Sequence, residues 1–260
     1  MYRGRLLNRS ESFNKSLEKS LIKHADTIQY LRIEWEPVIK GFLSYFVNLL
    51  SLEIYLPIFI NRNDSENILL PNLKTLKTRV ISLKILANII KNTKGNLSEI
   101  SIGYNDNYCK MLIQAIYQNC PKLKYLHLTL HGNSNSLILE IENLLIYCQV
   151  LNGLVINVNE DHLDKFNWHK LFQILTKSSP NSLFKFKFFT TMIFKLDEMK
   201  FFFDNWKDRN PMLIRISNGN QFYFRIEEVR NLIEEYKEKG IIKNYSINNG
   251  IISCENFEWV

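Results

Sequence analysis

The chain has 260 residues, of which 46% are hydrophobic, 23% charged and 13% aromatic; these values exclude a disordered, collagenous or low-complexity polymer. Lys and Arg number 33 against 26 Asp and Glu, a net charge of +7. Over this length that charge admits an acidic partner but reads as a solubility setting rather than a nucleic-acid footprint.

The elements follow in chain order. Phe13, Leu17, Leu21 and Ile22 form one amphipathic stripe, so residues 1–27 are expected to be an N-terminal helical cap. At Ile28 a six-residue phrase begins, apolar-x-x-apolar-x-apolar. It reads Ile28-Gln-Tyr-Leu-Arg-Ile33 and returns at Leu49, Leu73, Leu97, Leu123, Leu151, Leu183, Pro211 and Ile242. Successive copies start 21 to 32 residues apart, the spacing of a leucine-rich repeat with some enlarged units. The segment Pro37–Phe46 reads as a short helix, and the stretch around Pro57–Glu66 as an exposed loop.

From Leu83 onward the period between phrases becomes helical. The stripes are Leu83-Leu86-Ala87-Ile89-Ile90, Met111-Leu112-Ala115-Ile116, Leu137-Leu139-Ile141-Leu144-Leu145, Leu171-Phe172-Leu175, Met199-Phe202-Phe203-Trp206 and Val229-Leu232-Ile233-Tyr236. Asn119-Cys120-Pro121, Ser179-Pro180 and Asn210-Pro211 end helices before strands, and Gly95 and Gly240 sit where helix C′ glycines belong. Asn249-Gly250 signals a hairpin, and residues 249–260 are expected to cap the last strand edge. No linker or composition shift interrupts the chain, so residues 1–260 read as one domain.

The expected fold is α/β. It is a curved leucine-rich-repeat solenoid of about nine irregular repeats, with a parallel sheet on the concave side and helices on the convex side. The competing architecture is a doubly wound α/β domain. Its strands would be continuous Val/Ile runs, without polar residues in fixed columns.

In each phrase the apolar positions point inward, so the residues between them face the concave surface. The central column is Arg32, Glu53, Lys77, Ser101, His127, Val155, Lys187, Arg215 and Ser246. Tyr125 and Lys185 flank it on one side, and Tyr55, Arg79 and Phe189 on the other. The candidate protein-binding residues are Arg32, Glu53, Lys77, Arg79, Tyr125, His127, Lys185, Lys187, Phe189 and Arg215. Tyr, Phe and Arg are the side chains that dominate protein interfaces. The bland reading is a solvated sheet face on which Lys and Arg only maintain solubility.

Catalytic and metal constellations fail. His127 and His131 are four apart but fall on a strand and its turn, with no Cys or carboxylate converging. No GxSxG, GxxxxGK[ST] or GxGxxG occurs. Cys120 and Cys148 occupy equivalent repeat positions, which suits small buried side chains. No catalytic residue, cofactor or metal is expected. The four Cys (109, 120, 148 and 254) form no CxxC, which fits reduced thiols in the cytoplasm or nucleus. The longest nearly apolar run, Leu49–Ile60, contains Glu53 and is too short to span a bilayer.

Asn119-Cys-Pro-Lys-Leu-Lys-Tyr-Leu-His-Leu128 after a helix resembles the cysteine-containing repeats of F-box/LRR proteins. Cys148-Gln-Val-Leu-Asn-Gly-Leu154 repeats the placement, and His24–Ile33 resembles a repeat of large fungal F-box-like families. The resemblance extends over nearly the whole chain. It implies a non-catalytic module whose repeats capture a protein substrate for a ubiquitin ligase, with SCF-type ligase subunits as further partners. No Leu-Pro-x-Glu start precedes Ile28, so the likeness is to the repeats and not to an F-box. The alternative is a stand-alone leucine-rich-repeat scaffold or inhibitor with no ligase link.

Overall fold

The computed structural model describes residues 11–39, 41–55, 68–79, 83–103, 110–131, 136–159, 165–190, 195–218 and 226–249. A short strand with alternate apolar residues cannot cover itself, and the chain answers this by aligning its strands in sequence order. They are β1 Tyr30–Ile33, β2 Ser51–Ile54, β3 Thr75–Thr78, β4 Glu99–Ile102, β5 Tyr125–His131, β6 Gly153–Asn159, β7 Lys185–Thr190, β8 Met212–Asn218 and β9 Ile242–Asn249. All pairings are parallel, and the sheet order is β1 through β9 with no reversal. A doubly wound sheet would reverse its order at a switch point; this one does not.

Every phrase found in the sequence supplies one strand, in the register expected. Leu31, Leu52, Leu76, Ile100, Leu126, Leu154, Phe186 and Ile214 follow one another across the ladder. All are buried. The single irregularity is a bulge where β8 meets β9, at Met212/Leu213. The entry to each strand from β2 to β7 is also repeated. The amides of Leu50 and Ser51 both donate to Gln29 O, at 2.8 and 3.0 Å, and those of Lys74 and Thr75 both donate to Leu50 O. The same fork recurs through Lys124 and Tyr125 on Ser98 O to Phe184 and Lys185 on Asn152 O.

The helices are α1 Glu11–Lys23, α2 Leu83–Lys91, α3 Lys110–Asn119, α4 Ile138–Tyr147, α5 Trp168–Ser178, α6 Leu196–Asp204 and α7 Ile226–Glu238. From α2 to α7 each packs on the next, forming one layer on one side of the sheet. Their apolar stripes and the inward strand residues make a continuous core. Its aromatic centre lies between α5, β7 and α6: Phe202 stacks on Phe172 at 4.9 Å and meets Phe186 and Trp206 edge-on or tilted at 5.5 Å. Burying such rings contributes about 1.5–3 kcal/mol each by area.

Two stripes are rotated from the expected ones. Met111 and Leu139 are exposed, while Ile113 and Ile138 take the buried positions. In the segment Pro37–Phe46 the helical turn is 3-10, over Phe42–Tyr45. Gly240 has φ of 74°, the left-handed conformation that a helix C′ position takes at no cost with glycine; Gly95, with φ of 73°, lies in the turn four residues after α2 ends and not at its C′ position.

At the N-terminal end α1 is tied to the chain beyond β1 by one buried carboxylate. Glu18 accepts from Trp35 Nε1 at 3.1 Å, Val38 N at 2.9 Å and Ile39 N at 2.7 Å. Among the described residues no helix is long and apolar enough to cross a membrane. The expected loop around residues 57–66, the hairpin over 250–260, and Cys109 and Cys254 lie outside the described residues.

Candidate functional site

Helices cover one side of the sheet, so the other side presents the columns read from the sequence. Arg32, Glu53, Lys77, Ser101, His127, Val155, Lys187, Arg215 and Ser246 are consecutive partners across the ladder. The structure divides them into two groups with different surroundings.

The first group lies over β1–β3, with Arg32 and Arg79 exposed and Glu53, Tyr55 and Lys77 half-buried. Arg32 is exposed and donates from Nε to Glu34 at 2.7 Å. Its guanidinium lies 4.3 Å from the centre of the Tyr55 ring, and that of Arg79 lies 5.2 Å from the same ring. Tyr55 donates to Glu53 at 3.3 Å, and Lys77 Nζ stands 3.5 Å from the Glu53 carboxylate. A tyrosine between two guanidiniums holds planar groups in place before any partner arrives, which lowers the ordering cost of binding.

The second group lies over β5–β8 and is largely withdrawn. His127, Lys187 and Phe189 are only 2%, 4% and 7% exposed. They do not stand on an open surface as expected, whereas Tyr125, Lys185 and Arg215 are half-buried. Between them β6 presents Gly153 and Val155, and Val155 is itself fully buried. Lys185 leans across toward β5, its Nζ 3.5 Å from Tyr125 Oη and 5.5 Å from the ring centre.

His127 Nδ1 is hydrogen-bonded to Ser101 Oγ at 2.9 Å. Its Nε2 is buried with no hydrogen-bond partner. Burial first, and the charge of Lys187 second, push the imidazole down to about 4. The ring is therefore neutral at ordinary pH. Ser101 is itself only 3% exposed, so the pair is sealed from solvent and packs as a polar insert in the sheet. The spacing of the central column alone could have revealed it, because Ser101 and His127 are neighbours in that column.

Cys120 and Cys148 are fully buried. They sit at equivalent places ahead of the paired strand residues Tyr125 and Gly153. Burial raises both thiols, Cys148 to about 12, which suppresses the thiolate that reacts or ligates. Among the described residues no group of three or more His, Cys, Asp or Glu side chains could hold a metal ion.

One device escaped the sequence reading. Asn48, Asn72, Asn96 and Asn210 each stand immediately before a phrase. Each donates its side-chain amide to a backbone carbonyl about one unit earlier: Asp26 at 2.8 Å, Val47 at 3.2 Å, Pro71 at 2.9 Å and Asn181 at 3.0 Å. Ser182, at the same place before Leu183, donates to Gln149 O at 2.9 Å. The signal was available as a polar residue one position ahead of seven of the nine phrases.

No family model matches the chain, and no curated protein matches it.

Proposed function

We propose that the chain is a non-catalytic protein-recognition module of leucine-rich-repeat type, whose curved sheet presents its helix-free face to a protein partner. The observation that carries this reading is the Arg32–Tyr55–Arg79 stack on that face. It is solvent-accessible, preordered and composed of the side chains that dominate protein interfaces. The in-register phrases and the asparagine bonds between units support the repeat reading. The likeness to the repeats of F-box/LRR proteins further points to substrate capture for a ubiquitin ligase.

The test is affinity purification of the full chain from its native cell beside the variant Arg32→Ala, Tyr55→Ala, Arg79→Ala. Recovery of a partner that the variant loses supports recognition by this face. Recovery of cullin-type ligase subunits supports the adaptor role, and a partner captured without them favours a scaffold or inhibitor. A variant that captures the same proteins as the native chain overturns the proposed surface.

A further inference from the structure

Cys120 and Cys148 are buried nucleophiles that the recognition reading leaves unused. They stand in successive units on backbones built alike. Each follows a helix, α3 or α4, and its amide donates to the carbonyl four residues back, Ile116 O at 2.9 Å and Leu144 O at 2.8 Å. Each carbonyl accepts from the amide three residues on, Leu123 N and Leu151 N, both at 3.1 Å. The two turns are bonded to each other four residues past each Cys, where Asn152 N donates to Lys124 O at 2.8 Å. One residue later Tyr125 and Gly153 are register partners in the sheet. Backbones of one shape, joined in register, run side by side at about the strand spacing of 4.8 Å. That falls within the Cα separation that a disulfide spans, about 4.4–6.8 Å. The Cys148 side chain points at the neighbouring turn, its Sγ 4.0 Å from Cys120 O. The same column holds Lys94 one unit earlier and Pro180 one unit later, so the paired thiols mark a single junction. In the closed chain both are sealed from solvent and held as neutral thiols by burial, which blocks exchange with an oxidant. Units of a repeat array also open locally without global unfolding, and opening between α3 and α4 removes that block.

We propose that Cys120 and Cys148 form a latent cross-link. When their junction opens, a small-molecule disulfide such as oxidised glutathione oxidises them to an intramolecular disulfide that locks the β5 and β6 units together. One Cys thiolate attacks the reagent's S–S bond, forming a mixed disulfide and releasing one glutathione thiolate. The second Cys thiolate attacks the protein sulfur of that mixed disulfide, forms the Sγ–Sγ bond and expels the second glutathione thiolate. Two protein thiols are oxidised, one glutathione disulfide is reduced, and the two protons lost by the cysteines end on the two glutathione thiols. The lock does not depend on the recognition reading and stands or falls without it.

The experiment treats the full chain with oxidised glutathione, in native buffer and in subdenaturing urea. Remaining thiols are alkylated and the peptides mapped by mass spectrometry. The expected product joins the peptides of Cys120 and Cys148 with the loss of two hydrogens, and it forms at least about tenfold faster in urea because opening limits the rate. The oxidised chain should unfold at a higher urea midpoint, and dithiothreitol should restore the original one. The variant Cys109→Ser, Cys254→Ser should behave as the native chain does. Cys148→Ser should take up glutathione at Cys120 and show no rise in midpoint. Absence of the Cys120–Cys148 link in both conditions, preferential pairing of either with Cys109 or Cys254, or equal rates with and without urea overturns the proposal. So does a link that leaves the midpoint unchanged or lowers it.

Discussion

His127 shows how one buried side chain couples the sheet to pH. Its imidazole stays neutral in the folded chain down to about pH 4, while an unfolded histidine takes a proton near pH 6.5. A depressed value means that the unfolded chain binds the extra proton. The associated stability is complete above about pH 6.5 and is lost as pH falls toward 4. The loss reaches about 3 kcal/mol. Urea unfolding between pH 7 and pH 4.5 should therefore show a steeper acid decline in the native chain than in His127→Gln. Parallel declines would show that His127 is not the titrating group. The side chain's depth was not legible in the sequence, which gave its column but not its cover. Depth shows only in the folded sheet, where His127 is 2% exposed and its Nδ1 is bonded to Ser101 Oγ.

At the level of elements, the strands were legible because their period of two was locked into a recurring phrase. Their register follows from that phrase almost without exception. Helix faces were less certain, since a stripe of adjacent apolar residues admits a small rotation. Thus Met111 and Leu139 turned outward in favour of Ile113 and Ile138. The bonds joining units were missed because asparagine is common in this chain and its position before the phrase carries no apolar signal. Asn72 is exposed, yet its amide holds Val47 O in the preceding unit. Asn72→Ala is expected to lower unfolding stability by about 1 kcal/mol, the net value of such a bond. Asn92→Ala, whose amide bonds to Asn88 four residues earlier, should cost less. The comparison is made by urea midpoints, and equal costs would deny Asn72 a role between units.

At the largest scale, sequential strand order and the layer of helices α2–α7 leave one sheet face free of helices among the described residues, and the proposed function rests on this asymmetry. The sequence located that face by counting. It could not show that its first half is open and its second half withdrawn, because exposure depends on how neighbouring units fold their side chains over each other. The central claim is that recognition uses this face rather than the helical side. The helical side also exposes apolar groups, Tyr147 at 63% among them, so the two sides can be compared directly. Site-specific photocrosslinking in the native cell does this, with Tyr55→p-benzoylphenylalanine on the sheet face and Tyr147→p-benzoylphenylalanine on α4. The account predicts a discrete protein adduct from position 55 and none from position 147. An adduct from position 147 alone would contradict it.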